Sequence, residues 1–97
     1  MQRERLVVEF ERDSNGAVVL HLAGRLEHAT ASLVDGILLA LRSIPLPVVV
    51  DLAGVGSIDA DGLGVLLRAE QEALLAGATI EITGVRESLQ ERRPPVR

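Results

Sequence analysis

Residues 48–64 read VVVDLAGVGSIDADGLG, and this stretch decides the fold. It opens on a short apolar run, 48–52, which is typical of a strand that is covered on both faces or lies in a parallel sheet. We expect a loop over 53–58. Asp59 then precedes a segment in which leucines recur at helical spacing. The stretch therefore predicts a strand, a loop and a helix, in that order.

Upstream of this stretch, the apolar pattern predicts a hairpin and a first helix. Apolar and polar residues alternate over 6–10 and 18–23, on either side of a turn at 13–16, and Gly24 is expected to end the second strand. The helix is expected from about Ala29 until Pro45 and Pro47 stop it. Its apolar positions are Leu33, Ile37 and Leu41, with Val34 and Leu38 beside them.

Downstream, the pattern predicts a second helix with a glycine cap and a fourth strand. Gly77 is placed to cap the helix, and residues 78–83 alternate as in a strand. A short amphipathic stretch at 85–90 and a frayed tail at 91–97 complete the chain. The apolar positions expected on the second helix are Leu63, Leu66, Leu67, Ala73 and Leu74.

These elements predict a single α/β domain over residues 1–97, with its core in about 5–88. The order is β-β-α-β-α-β-α. Right-handed crossovers make the strands on either side of each helix parallel, so a mixed four-stranded sheet with helices packed on it is expected.

Composition excludes several classes of function. The net charge is -4, the chain has no cysteine, and all ten basic residues are arginine. An acidic chain without a basic patch is a poor ligand for nucleic acid. Cysteine and lysine nucleophiles are absent, and no apolar run is long enough to insert into a membrane. We expect a cytoplasmic protein without cofactor or metal.

Residues 48–85, VVVDLAGVGSIDADGLGVLLRAEQEALLAGATIEITGV, resemble the core of the STAS domain, and GRLEHATASL upstream resembles its first strand-to-helix junction. The family includes anti-sigma factor antagonists. The resemblance covers about residues 5–88 and implies the same fold. Since the family usually continues further after the fourth strand, the resemblance also implies a shortened C-terminus and open apolar surface, from which we expect a homodimer or a stably bound partner.

The resemblance also implies a binding function. In the antagonists, an Asp-Ser-Ser-Gly motif begins the second long helix. Phosphorylation of its first serine, by an anti-sigma factor that is also a serine kinase, releases that partner. Here the motif is Asp59-Ala60-Asp61-Gly62, so Ala60 takes the phosphorylated position and has no hydroxyl. Either the protein binds its partner without kinase control, which we favour, or an acidic loop has lost the kinase-type partner.

Ten residues are expected to contact the partner. Asp59 is also a natural helix N-cap, Gly62 and Gly64 allow close approach, and Ser57 and Thr30 offer alternative hydroxyls for phosphorylation. His28 is expected in the loop before the first helix. The full set is Glu27, His28, Thr30, Ser57, Asp59, Ala60, Asp61, Gly62, Leu63 and Gly64.

Two other functions fit parts of the sequence. Asp59-Ala60-Asp61-Gly62 has the D-x-D-G form of aspartate phosphotransferases, but such an enzyme needs its first aspartate at a strand end, together with a basic residue and further carboxylates. We expect the strand to end near Leu52 and the protein not to be an enzyme. Some STAS proteins are accessory subunits of ABC lipid transporters or stress-signalling scaffolds, and their motifs also depart from Asp-Ser-Ser-Gly.

Overall fold

The computed structural model describes residues 5–85, which form a mixed sheet of four strands with two helices. The strands lie in the order β1-β2-β3-β4; β1 is antiparallel to β2, and β2, β3 and β4 are parallel. The predicted fold class and element order are confirmed. The predicted third helix lies outside the described residues except for Val85. The elements are β1 (Leu6–Arg12), β2 (Val18–Leu26), α1 (His28–Leu41), β3 (Val48–Ile58), α2 (Ala60–Ala76) and β4 (Ile80–Thr83).

Both helices pack against each other and against the same face of the sheet, where the core lies. Leu20 and Val50 are fully buried between the sheet and Val34 of α1. Because side chains alternate along a strand, Val49 and Asp51 point to the opposite face, and both are only half-buried. Residues 48–52 were expected either to be covered on both faces or to lie in a parallel sheet. The second alternative is confirmed, and within residues 5–85 the helices cover one face only.

The strands are longer than predicted. β2 continues past Gly24 to Leu26, and β3 continues past Leu52 to Ile58. Two register shifts between β2 and β3 let pairing resume beyond the glycines. Gly24 has φ of 108°, and a Cβ there would lie 2.2 Å from the Arg5 carbonyl oxygen, so only glycine fits. The expected loop at 53–58 is therefore strand.

The apolar stripe of each helix is also displaced from the prediction. On α1, Val34 and Leu38 are buried, but Leu33 is 51% exposed. On α2, Val65, Leu66, Ala69 and Ala73 face the core. Leu63, Leu67 and Leu74, which were expected in the core, are 47%, 54% and 77% exposed. The helix therefore carries more apolar side chains than its buried face accepts. Neither helix within residues 5–85 is both long and apolar enough to cross a lipid bilayer.

Candidate functional site

The two helices begin side by side at one edge of the sheet. Leu26 and Ile58, the last residues of β2 and β3, are register partners. The Asp59 N–H donates to the Leu26 carbonyl oxygen at 3.2 Å, which extends the pairing by one residue. α1 and α2 each start two residues after their strands end. Two helix N-termini, whose first N–H groups have no acceptor inside their own helix, therefore meet in one place.

Asp59 is the N-cap of α2 and also binds the first N–H of α1, whose own N-cap is Glu27. Its Oδ1 accepts from the Gly62 N–H of α2 at 2.9 Å, and its Oδ2 accepts from the His28 N–H of α1 at 2.9 Å. These bonds, above all the one from Gly62, lower the pKa of Asp59. The predicted cap role is confirmed, and the second helix is an addition that the sequence did not indicate. One carboxylate thus fixes the relative position of two helix ends.

The two motif glycines differ in role. Gly62 is buried, and a Cβ there would lie 2.3 Å from the Leu26 carbonyl oxygen. Gly64 has no atom within 4 Å of a Cβ position. Gly62 therefore allows α2 to start close to the end of β2, whereas nothing within residues 5–85 requires glycine at 64.

The two candidate hydroxyls make internal hydrogen bonds. Ser57 Oγ donates to Glu27 Oε2 at 2.7 Å. Thr30 Oγ1 accepts from the Glu27 N–H at 3.1 Å and donates to the Arg25 carbonyl oxygen at 2.7 Å. These contacts fasten the first turn of α1 to the ends of β2 and β3. Phosphorylation of either residue stays a prediction.

Four residues at this edge face solvent and form what we term the motif surface: His28, Ala60, Asp61 and Leu63. His28 Nδ1 lies 2.8 Å from Asp61 Oδ2, and their side chains are 87% and 60% exposed. The expectation that His28 precedes the helix is wrong: it is the first residue of α1. Its N–H is held by Asp59, which lets the helix begin earlier than its apolar pattern does.

An apolar groove continues from the motif surface along α2. It has a volume of about 340 Å³, and Leu63 and Leu67 of α2 line one side, with Ile82 of β4 and Val85 on the other. Sequence reasoning named Leu63 as a contact but assigned Leu67 to the core. The spacing of four residues between them was the available signal, since it places both on one side of a helix.

A second polar cluster lies on the open face of the sheet. His21 Nε2 lies 2.6 Å from Glu11 Oε1, and His21 Nδ1 lies 2.7 Å from Asp51 Oδ2. The hydrogen bond with Glu11, followed by that with Asp51, raises the pKa of His21. The pKa of Asp51 is lowered, first by a bond from the Ala53 N–H and then by His21. We term this the His21 cluster; it joins β1, β2 and β3.

β3 ends at Ile58 and not near Leu52, as was expected when an aspartate phosphotransferase was excluded. Asp59 directly follows β3 instead of standing seven positions beyond it. The other requirements are still not met: the sequence has no lysine, and within residues 5–85 no three His, Cys, Asp or Glu residues are grouped to hold a metal ion. Both Asp59 oxygens accept backbone N–H groups, which makes this carboxylate a cap in the described structure.

Comparisons with known proteins identify the family. A family model described as "Mlab, STAS domain" matches residues 10–92. No curated protein matches the chain. An antisigma-factor antagonist STAS domain from Rhodobacter sphaeroides is 21% identical, with a TM-score of 0.68 over 89% of this chain and 94% of that one.

Two further solved structures are similar. The unphosphorylated anti-sigma factor antagonist SpoIIAA is 15% identical, with a TM-score of 0.64 over 87% of this chain and 82% of that one. A structure of Mglu is 30% identical, with a TM-score of 0.66 over 76% of this chain but only 18% of that one. The likenesses to the two antagonists show a shared fold. Because the family model spans most of its length, the chain belongs to the STAS domain family.

Proposed function

We propose that this protein is a binding module of the anti-sigma factor antagonist kind, not an enzyme, and that it binds an anti-sigma factor through the motif surface. The observation that carries the proposal is that the Asp59 carboxylate accepts a backbone N–H from each helix. Because that carboxylate fixes both helix ends, Ala60, Asp61 and Leu63 are presented to solvent in a defined arrangement. In the antagonists, the same motif positions meet the partner.

The chemistry of this surface suits a protein partner. Leu63 and Leu67 are about half exposed and line the apolar groove together with Glu70, while Asp61 lies in the first turn of α2, two positions before Leu63. Covering apolar surface stabilises a complex by about 25 cal/mol per Å² before the costs of association. A partner with an apolar ridge flanked by basic residues matches both features. The acidic charge adds specificity and speed of encounter.

Ala60 determines how such binding is regulated. A phosphate adds about -1.5 to -2 charges at pH 7, and alanine cannot carry one. Asp61, beside it, supplies a permanent single charge at the start of α2. We infer a partner complex that forms without serine phosphorylation at the motif, so no phosphate at position 60 controls its occupancy.

The proposal is tested with a purified serine-kinase-type anti-sigma factor from the same genome. The wild type should bind it, and Leu63→Asp should weaken binding at least tenfold, because a charge would be buried at the contact. Leu75→Asp is the matched control, since Leu75 lies on the same helix, is 84% exposed and is absent from the groove. No binding by the wild type, or equal loss in both variants, would contradict the proposal.

A second candidate is an accessory subunit of an ABC lipid transporter. The matching family model is described by Mlab and not by the antagonists, so family membership does not single out the antagonist function. The same leucine pair distinguishes the two. Binding of a purified ABC ATPase that is lost in Leu63→Asp and kept in Leu75→Asp, without binding of the anti-sigma factor, would replace the first proposal by the second.

A further inference from the structure

β1 is an edge strand that lacks several of the usual protections against pairing, although Glu9, Glu11 and Arg12 carry charge along it. Natural edge strands are commonly short, bulged, or interrupted by proline or lysine. β4, at the other edge, spans only four residues. β1 spans seven, pairs with β2 without a register shift, and contains neither proline nor lysine. No strand within residues 5–85 occupies its outer side.

Apolar side chains on β1 are also exposed. Phe10, the only aromatic residue of the chain, is 58% exposed, and Val7 is 50% exposed. The side chains of Val7 and Phe10 point to opposite faces of the sheet, because side chains alternate along a strand and these two are three positions apart. Phe10 lies on the side that carries the helices, next to half-buried Val8 in the same row. A strand added at this edge would cover both rows.

We propose that a second copy of the chain pairs antiparallel with β1, so that two sheets join into one through a two-fold axis at Val8. Residues that face each other across an antiparallel pair lie on the same face of the sheet. In a symmetric pair of β1 strands, both residue numbers are therefore odd or both even, and the axis passes through one residue. Centring on Glu9 sets two glutamates opposite each other, and centring on Phe10 sets Glu9 opposite Glu11 twice. Both arrangements are unfavourable.

Centring on Val8 removes these repulsions and adds attractions. Arg5 then faces Glu11 of the second copy, twice by symmetry; both residues are exposed, and Glu11, whose Oε1 contacts His21 of its own sheet, keeps Oε2 for Arg5. On the helix-bearing side, Leu6 faces Phe10 of the second copy. Centring on Val7 also avoids like charges and sets Arg5 opposite Glu9, but within the described residues it pairs only 5–9, compared with 5–11 for Val8. Among the registers without opposed like charges, the Val8 register therefore gives the longest pairing within residues 5–85 and also has complementary charge.

The dimer differs from the motif surface and does not depend on the proposed function. No residue of the motif surface lies in β1, so a dimer would keep two such surfaces available. It also differs from association through apolar surface near the end of the chain, which the sequence suggested. The surface here is an edge strand, and the partner is a second copy of it.

Charge exchange tests both the dimer and its register. Arg5→Glu places like charges opposite each other twice and should raise the dimer dissociation constant about tenfold, as measured by sedimentation or light scattering. Adding Glu11→Arg to Arg5→Glu should restore dimerisation. A wild type that is monomeric across the micromolar range would overturn the dimer, and a double variant no better than Arg5→Glu would overturn the register.

Crosslinking gives a second test, which the absence of cysteine makes clean. Directly opposed antiparallel residues have Cα atoms about 4.5–5.5 Å apart, within disulfide range. Val8→Cys should therefore form a disulfide dimer on mild oxidation. Phe10→Cys is the matched control, because residues two positions beyond the axis lie about 13 Å apart along the strands. Crosslinking of Phe10→Cys at an equal or faster rate would refute the Val8 register.

Discussion

The Asp59 cap and the His21 cluster are built from similar side chains but have different consequences. Asp59 accepts from two backbone N–H groups, so it holds two helices to the end of the sheet. Among the described residues, the His21 ring hydrogen-bonds with the side chains of Glu11 and Asp51, on the open face. Bonds to backbone determine where elements lie. Bonds between partly exposed side chains add a modest stability that follows their charge, and therefore the pH.

The largest expected effect concerns the glycine that lets the Asp59 cap form. Gly62→Ala should lower the free energy of unfolding by about 3 kcal/mol, because its Cβ would meet the Leu26 backbone. Gly64→Ala, two residues on in the same helix, should raise it by about 0.5–1 kcal/mol. Denaturant unfolding of both variants measures this. Equal effects would show that α2 does not depend on close approach at position 62.

Removal of the cap itself should have the next largest effect. Asp59→Ala leaves two helix N–H groups without their acceptor and should lower Tm by about 5–10 °C. Asp59→Asn keeps one acceptor oxygen, so its Tm should lie between those of the wild type and Asp59→Ala. Asp61→Ala is the control, because its carboxylate contacts the His28 side chain. A loss in Asp61→Ala as large as in Asp59→Ala would assign the effect to charge at the helix start instead of to the cap.

The Asp59 cap and the His21 cluster should contribute to stability in different pH ranges. Since the pKa of His21 is raised above 6.5, its contribution is fully present below pH 6.5 and is lost as the pH rises through the folded value. The pKa of Asp59 is lowered from 3.8, so its contribution is present above pH 3.8 and is lost on acidification. His21→Gln should therefore flatten the alkaline decline in Tm, by about 2–4 °C, and should change the acid limb less, through Asp51, whose pKa is lowered mainly by the Ala53 N–H and then by His21.

The pH prediction is measured by thermal unfolding from pH 3 to 9, with wild type and His21→Gln side by side. Identical curves above pH 6.5 would show that the His21 cluster adds nothing to stability. Asp59→Asn should instead flatten the acid limb.

The smallest effect is expected at His28. Its side chain is 87% exposed, and the hydrogen bond of its ring within residues 5–85 is with Asp61, so His28→Ala should change Tm by no more than about 2 °C. Its partner affinity should nevertheless fall, because the residue belongs to the motif surface. A large loss of stability without loss of binding would move His28 from the contact surface to the fold.

The sequence predicts the order of elements because each leaves a local signal. Asp59 precedes a helical period, and Gly77, which has φ of 75°, ends it. The extent of β2 and β3 leaves no such signal, since their pairing resumes beyond glycines through register shifts. Local pattern identifies an element, whereas its length depends on the neighbouring strand.

The candidate site was predicted from the resemblance, and its geometry only in part. Asp59 was recognisable as a cap for the helix that follows it, but its bond to His28 joins residues 31 positions apart. The His21 cluster likewise needs the registers of three strands. On α2, period alone could not separate the buried leucines from Leu63 and Leu67, because apolar residues occupy more of the helix than the core requires.

The central claim, that the motif surface binds its partner without a phosphate switch, is tested most directly by titrating the kinase-type anti-sigma factor into wild type and Ala60→Ser, each with and without ATP. The account predicts that wild type binds with the same affinity in both conditions and gains no phosphate by mass spectrometry. Ala60→Ser should lose affinity only when it is phosphorylated. Phosphorylation of the wild type with release of the partner would contradict the claim.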